Sequence, residues 1–139
     1  MAFNTNYHDA GLFGVYAATD RDRSPDLTFA IMNEMTKLCY EVKDDDVSRA
    51  RNRLKASLLG GQDSSHNVAE AIGRELLVYG RRLPRAELLA RIDAVDADAV
   101  RGVADRFIYD QDPVVAAVGD TQFVQDYNWF RRRTYWLRY

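Results

Sequence analysis

Chemistry in this chain would have to come from a short set of side chains: two histidines, one cysteine, a run of aspartates, and an arginine triplet among aromatic rings. His8 stands beside Asp9, the pairing of a base with an orienting carboxylate, yet a turn histidine next to its carboxylate is far more often a solvated pair than a catalytic one. His66 lies far along the chain. Neither histidine has a second ligand at helical spacing, so the His-x-x-Glu-His and His-Glu-x-x-His signatures of zinc peptidases are absent. Cys39 is conceivable as a nucleophile with either histidine, but an apolar helix position raises a thiol pKa and no base is set beside it. It reads as a small buried hydrophobe with a free thiol and no internal disulfide partner, compatible with a reducing compartment. Asp44, Asp45 and Asp46 resemble a cation site at first sight. Placed just before a helical pattern they read instead as capping and dipole charges, with Asp45 to Arg49 at the spacing of a helical ion pair worth about 0.3–0.5 kcal/mol. Arg74 and Glu75 fall on a polar helix side suited to ion pairs, and Arg81 and Arg82 follow where positive charge favours a helix C-terminus.

The closing stretch "YNWFRRRTYWLRY" is the most distinctive. Arg131, Arg132, Arg133 and Arg138 against Asp126 give a local charge of +3. Trp129, Phe130, Tyr135, Trp136 and Tyr139 interleave with them in a pattern able to stack bases or lie in a bilayer interface. Tryptophan, tyrosine and arginine are also the residues enriched at the energetic centres of protein–protein interfaces, and the stretch holds no long amphipathic helix. Docking is the favoured reading, with Trp129, Arg131, Arg132, Arg133, Trp136 and Tyr139 as the candidate partner contacts. A free-standing module that binds anionic lipid or nucleic acid through the same tail is the rival. The net charge of −2 supplies no overall field for a polyanion, so no nucleic-acid partner is expected. No apolar run approaches the roughly 20 residues of a transmembrane helix, and "MAFNTNYHDAG" has neither a signal-peptide core nor the Arg-rich character of an organellar presequence.

These groups must be positioned by a chain of 139 residues, read as one domain over 1–139. A hydrophobic share of 47% is enough for a folded core and too high for a disordered chain. Loose alternation predicts strands over 2–7 and 11–19, with Asp9 to Gly11 as the turn. Ser24-Pro25 predicts a hydroxyl-capped helix over 25–41 with Leu27, Ile31, Met35 and Leu38 on its inner face, widened by Ala30 and Cys39. A second helix should bury Val47, Ala50, Leu54 and Leu58, leave basic residues 49, 51, 53 and 55 solvated, and end at Gly60-Gly61. "QDSSHN" then leads to a third helix, buried along Val68, Ile72, Leu76 and Tyr79. Pro84 opens a fourth, with Leu88, Ile92 and Val95 inward, and Asp96 caps a fifth, with Val100, Val103 and Phe107 inward. "VVAAVGD" reads as a late strand buried on both faces that pairs with the early ones. The fold class is α+β: a two-layer sandwich of a small, mostly antiparallel sheet covered by several helices. So thin a sheet, and strand-like residues from the start, imply an N-terminally truncated domain within a larger fold.

At "FNTNYHDAGLFGVYA", "RARNRLKASLL", "EAIGRELLVYGRRLPRAELLARIDAVDADAVRGVADRFIYDQDPVVAAVG" and "DYNWFRRRTYWLRY" the sequence resembles the C-terminal part of the processing-peptidase β subunits. These belong to the pitrilysin-type metallopeptidases, which include core subunits of respiratory complex III; the tail is plant-like. Matching blocks run in order from Met1 to Tyr139. The resemblance implies a zinc endopeptidase that pairs with an α-type subunit and removes mitochondrial presequences. Its zinc ligands and general-base glutamate belong to an N-terminal domain, so none is carried over and no catalytic, metal or cofactor residue is assigned here. What it implies for this chain is a non-catalytic, structural and subunit-docking role, inactive alone and without its own cofactor. The implied setting is mitochondrial, in the matrix or at the inner membrane, with an α-type subunit or complex III subunits as partners and presequence peptides bound only by the full-length enzyme. Two departures from the pattern stand out: "GGQDSSHN" shortens the helix after "SLL", and "DTQFVQDYNW" lacks the proline expected before Asp-Tyr-Asn.

Overall fold

The computed structural model describes residues 1–60 and 64–135. They hold two strands, β1 (Ala2–Asn6) and β2 (Gly11–Val15), and six helices: α1 (Ser24–Tyr40), α2 (Asp44–Gly60), α3 (Ser65–Tyr79), α4 (Arg85–Asp93), α5 (Ala97–Phe107) and α6 (Tyr127–Arg132). The fold is α+β, as the sequence predicts. Two compact units divide the chain, each made of two stretches: Met1–Gly14 with Lys43–Asp96, and Val15–Val42 with Ala97–Tyr139.

In the first unit β1 and β2 form an antiparallel hairpin whose turn is closed by Tyr7 N–H donating to the Ala10 carbonyl at 2.8 Å. His8 and Asp9 are at its exposed tip. A Cβ at Gly14 would sit 2.9 Å from Phe3 Cζ, so glycine lets that ring lie across the hairpin. α2 begins with its three aspartates in the first turn, as read, but Arg49 pairs with Asp46 rather than Asp45. Two of the basic residues read as solvated have structural partners instead. Arg51 Nη1 donates to the carbonyls of Asp93 and Val95 at 2.9 and 3.1 Å, satisfying groups left open at the end of α4, and Lys55 pairs with Asp93. Gly61 lies outside the described residues. Ser64 caps α3 by accepting from Asn67 N–H at 3.2 Å, and Gly80 ends it in the left-handed region at φ 68°.

Arg81 serves more than the end of α3. It reaches into α4 and holds Glu87 through two hydrogen bonds of 2.7 and 3.0 Å, while Arg91 adds a third at 2.7 Å. Arg74 pairs with Glu70, and Glu75 accepts from Leu83 N–H at 3.0 Å, tying the α3–α4 connection to the helix before it. The Arg81 hydrogen bond, against some desolvation and with help from Arg91, holds the Glu87 carboxyl down to about 2 from an ordinary 4.5. A depressed carboxylate contributes stability above the ordinary pKa that disappears as pH falls from 4.5 towards 2. Glu87→Gln is therefore expected to lower the urea midpoint at pH 6 and to match the parent chain near the bottom of that window; an equal deficit at both pH values would contradict the link.

In the second unit a short 3-10 turn, Arg21–Arg23, precedes α1. It changes the capping expected from Ser24-Pro25. Because the chain is already helical at Ser24, with φ −59° and ψ −40°, the hydroxyl cannot act as an N-cap, and it is buried without a hydrogen-bond partner among the described residues. α1 packs on α5. Its buried line is Met32, Thr36 and Cys39, rotated from the predicted stripe; Leu38 is exposed, and Met35 packs at the edge of the cluster formed by Cys39, Ala104 and Ile108. α5 likewise buries Ala97 and Ala104, with Ile108 just beyond its end, while Val103 and Phe107 face out. Small side chains let two helix backbones approach closely, so the alanine face won over the bulkier one. Tyr40 meets Tyr109 edge to face at 6.3 Å.

The late strand is not formed among the described residues. Residues 114–118 have no regular secondary structure and join no ladder, and Val114 and Val118 are 96% and 104% exposed. Apolar alternation can make a segment ready for a sheet; it does not supply the neighbouring strand. Leu76 and Tyr79 on α3, Leu54 on α2 and Val95 after α4 are exposed as well, against their inward assignment.

Candidate docking site

α6 presents the arginine triplet. Asp126 caps it, its Oδ1 accepting from Trp129 N–H at 3.1 Å. Successive helical side chains turn by about 100°, so consecutive arginines in and after one short helix must point three ways.

Arg131 is held inward. Its Nη2 meets Asp110 Oδ1 at 2.8 Å, its Nε meets Asp112 Oδ1 at 2.6 Å, and it donates to the Asp110 carbonyl at 3.2 Å and to Thr134 Oγ1 at 3.0 Å. The hydrogen bond it donates to Asp110, strengthened by both carboxylate charges, pushes its already high pKa further up. Asp110 has φ 53°, a left-handed conformation that aspartate tolerates better than most residues. Its backbone N–H also donates to Thr134 at 3.3 Å, so this turn after α5 and the end of α6 fix one another.

Arg133 is fixed differently. Thr36, 1% exposed, donates its hydroxyl to the Arg133 carbonyl at 2.5 Å, and the Arg133 N–H donates to the Phe130 carbonyl at 3.0 Å. Its guanidinium carbon lies 4.3 Å from the Trp129 ring centroid and 5.0 Å from that of Phe29. Arg132 is exposed, and neither it nor Arg133 has a carboxylate partner among the described residues. Both line a cleft of about 560 Å³, with Met32, Asn33, Thr36 and Asn128 along its walls. Trp136, Arg138 and Tyr139 lie outside the described residues.

The structure thus brings Trp129, Arg132 and Arg133 to one cleft and turns Arg131 away from that task. Sequence reasoning missed Phe29, Thr36, Asp110 and Asp112. Thr36 carried a signal, a hydroxyl midway between Met32 and Cys39 where a helix face is otherwise apolar. Burial raises the Cys39 thiol pKa, and Asp105 adds to it. Among the described residues no group of three His, Cys, Asp or Glu side chains converges to hold a metal, so the zinc implied by the resemblance finds no fitting donor set there. No helix among them is long and apolar enough to cross a membrane.

Residues 1–54 match the family described as Peptidase M16 inactive domain. The chain is 61% identical over 139 residues to the Arabidopsis thaliana protein named "Probable mitochondrial-processing peptidase subunit beta", covering all of this chain and 26% of that protein. It is 41% identical to the human mitochondrial-processing peptidase subunit beta, over 99% of this chain and 28% of the relative. Human cytochrome b-c1 complex subunit 1 is 39% identical, over 100% and 29%. Among solved structures, a chain of Complex III2 from Candida albicans superposes with a TM-score of 0.91 at 25% identity, over 97% of this chain and 33% of that one. The chain therefore spans about a quarter to a third of the proteins it matches. Together the fold and these likenesses define a class: the C-terminal domain of the M16 peptidases. Within that class the chain resembles the β subunit of the mitochondrial-processing peptidase, with the complex III core subunit next to it; these relatives are mitochondrial proteins.

Proposed function

We propose that the chain acts as a non-catalytic C-terminal domain of a mitochondrial-processing peptidase β subunit, in the matrix or at the inner membrane, and that its work is structural: it docks an α-type subunit. The observation that carries this reading is the 61% identity to a β-subunit relative along the whole of the chain. Apolar side chains left exposed on its helices, and a cleft lined by two arginines that have no carboxylate partner among the described residues, are surfaces suited to a partner. The chain brings no cofactor of its own; presequence cleavage belongs to the full-length enzyme. Co-expression with an α-type subunit is expected to give a complex that co-elutes on size exclusion, while the chain alone with zinc leaves a presequence peptide intact. Cleavage by the chain alone would overturn the non-catalytic part, and separate elution the docking part.

Assembly into complex III is a second reading, favoured by the superposition on a Complex III2 chain and the 39% identity to cytochrome b-c1 complex subunit 1. Incorporation of a tagged chain into complex III from mitochondrial extracts, rather than into a peptidase dimer, would select it.

A further inference from the structure

We propose that the cleft between α1 and α6 receives a carboxylate side chain from an acidic peptide segment of the partner, with Arg133 as the two-pronged donor and Arg132 as an outer charge. This rests on the docking role above and specifies what docks. Arg133 is prepared for that contact before any partner arrives. Its carbonyl is held by Thr36 at 2.5 Å, its N–H by the Phe130 carbonyl at 3.0 Å, and its guanidinium lies over the Trp129 and Phe29 rings. The N–H donors of a guanidinium lie in one plane as a fork that matches a carboxylate, and among the described residues no carboxylate is paired with Arg133. Holding a long side chain in place beforehand lowers the entropy cost of binding.

The charge pattern selects a peptide over a polyanion. Nucleic acid or an anionic bilayer needs a run of unpaired cations, each neutralising one phosphate or headgroup. Here Arg21 is paired with Asp120 at 2.9 Å and Arg131 with Asp110 and Asp112, while Asp126 stands at the cleft itself. Among the described residues that line the cleft, Arg132 and Arg133 are the cations, and its volume of about 560 Å³ suits one or two side chains. Asn33 and Asn128 offer neutral amides alongside the two charges.

The test uses the whole chain and a blocked pentapeptide, Gly-Glu-Glu-Leu-Gly, followed through the arginine Nε–H and tryptophan indole signals by NMR. Saturable binding is expected, with the Gln-Gln version of the peptide at least about tenfold weaker, as for the loss of a charge-assisted pair. Arg133→Gln should weaken binding by the same factor. Arg133→Lys should lose most of it, because charge remains but the planar fork does not. Arg74→Gln, far along the sequence in α3, should change nothing. Circular dichroism establishes that each variant is folded. Equal affinity for the two peptides, or no effect of the Arg133 substitutions, would overturn the proposal. So would displacement of the peptide by an oligothymidylate or phosphatidylserine vesicles whose own binding is lost in Arg133→Gln. An α-type subunit that co-elutes equally with the parent chain and Arg133→Gln would retain docking and remove this cleft from it; peptide binding without co-elution would do the reverse.

Discussion

Phe130→Ala is expected to destabilise the second unit by about 3–5 kcal/mol, the usual cost of emptying a buried aromatic site. Phe130 is 5% exposed and is the buried residue of α6, a helix of 6 residues, too short to persist in water by its own hydrogen bonds. Its burial is what keeps α6 in place, and both Arg131 pairs and the Thr36 contact depend on that placement. Urea unfolding followed by tryptophan fluorescence reads the loss. Phe130→Leu, which keeps much of the volume, should cost clearly less. A deficit below about 1 kcal/mol for the alanine variant would mean that α6 is not anchored by this ring.

The second large effect is expected at Thr36. Thr36→Val keeps the shape and removes the hydroxyl, leaving the Arg133 carbonyl without its 2.5 Å donor in a buried place; the penalty is about 1–3 kcal/mol. Thr36→Ser retains the oxygen and should lose less. The pair also separates stability from site geometry. If the Thr36 hydroxyl positions Arg133, Thr36→Val weakens binding of the glutamate peptide while the chain remains folded at low urea, and Thr36→Ser does not. A valine variant as stable as the parent would show that the carbonyl has another donor.

How far the sequence went can be read from the elements themselves. Helix starts and stops were legible where backbone chemistry decides them: the aspartates opening α2, Gly60 at its end, Pro84 before α4. Helix faces were less legible. An apolar stripe says which side of a helix avoids water but not what is there to cover it, so Val103 and Phe107 were assigned inward while Ala104 and Ile108 made the contact. Residues 114–118 fail as a strand for the same reason, since a ladder requires a neighbour that local sequence cannot provide. At the tail, residue types identified the arginines and tryptophan, but their division of labour was hidden. It depends on Asp110, Asp112, Thr36 and Phe29, which lie far from the triplet in sequence and carry no pattern that ties them to it.

That division has an evolutionary corollary. Three identical neighbours answer to three different selective pressures: the first is constrained by the turn after α5, the third by the rings beside it, and among the described residues the middle one has neither a carboxylate nor a ring against it. A lineage could therefore retune how firmly this tail adheres by exchanging Arg132, at almost no expense to folding. Drift should accumulate at that codon sooner than at those on either side.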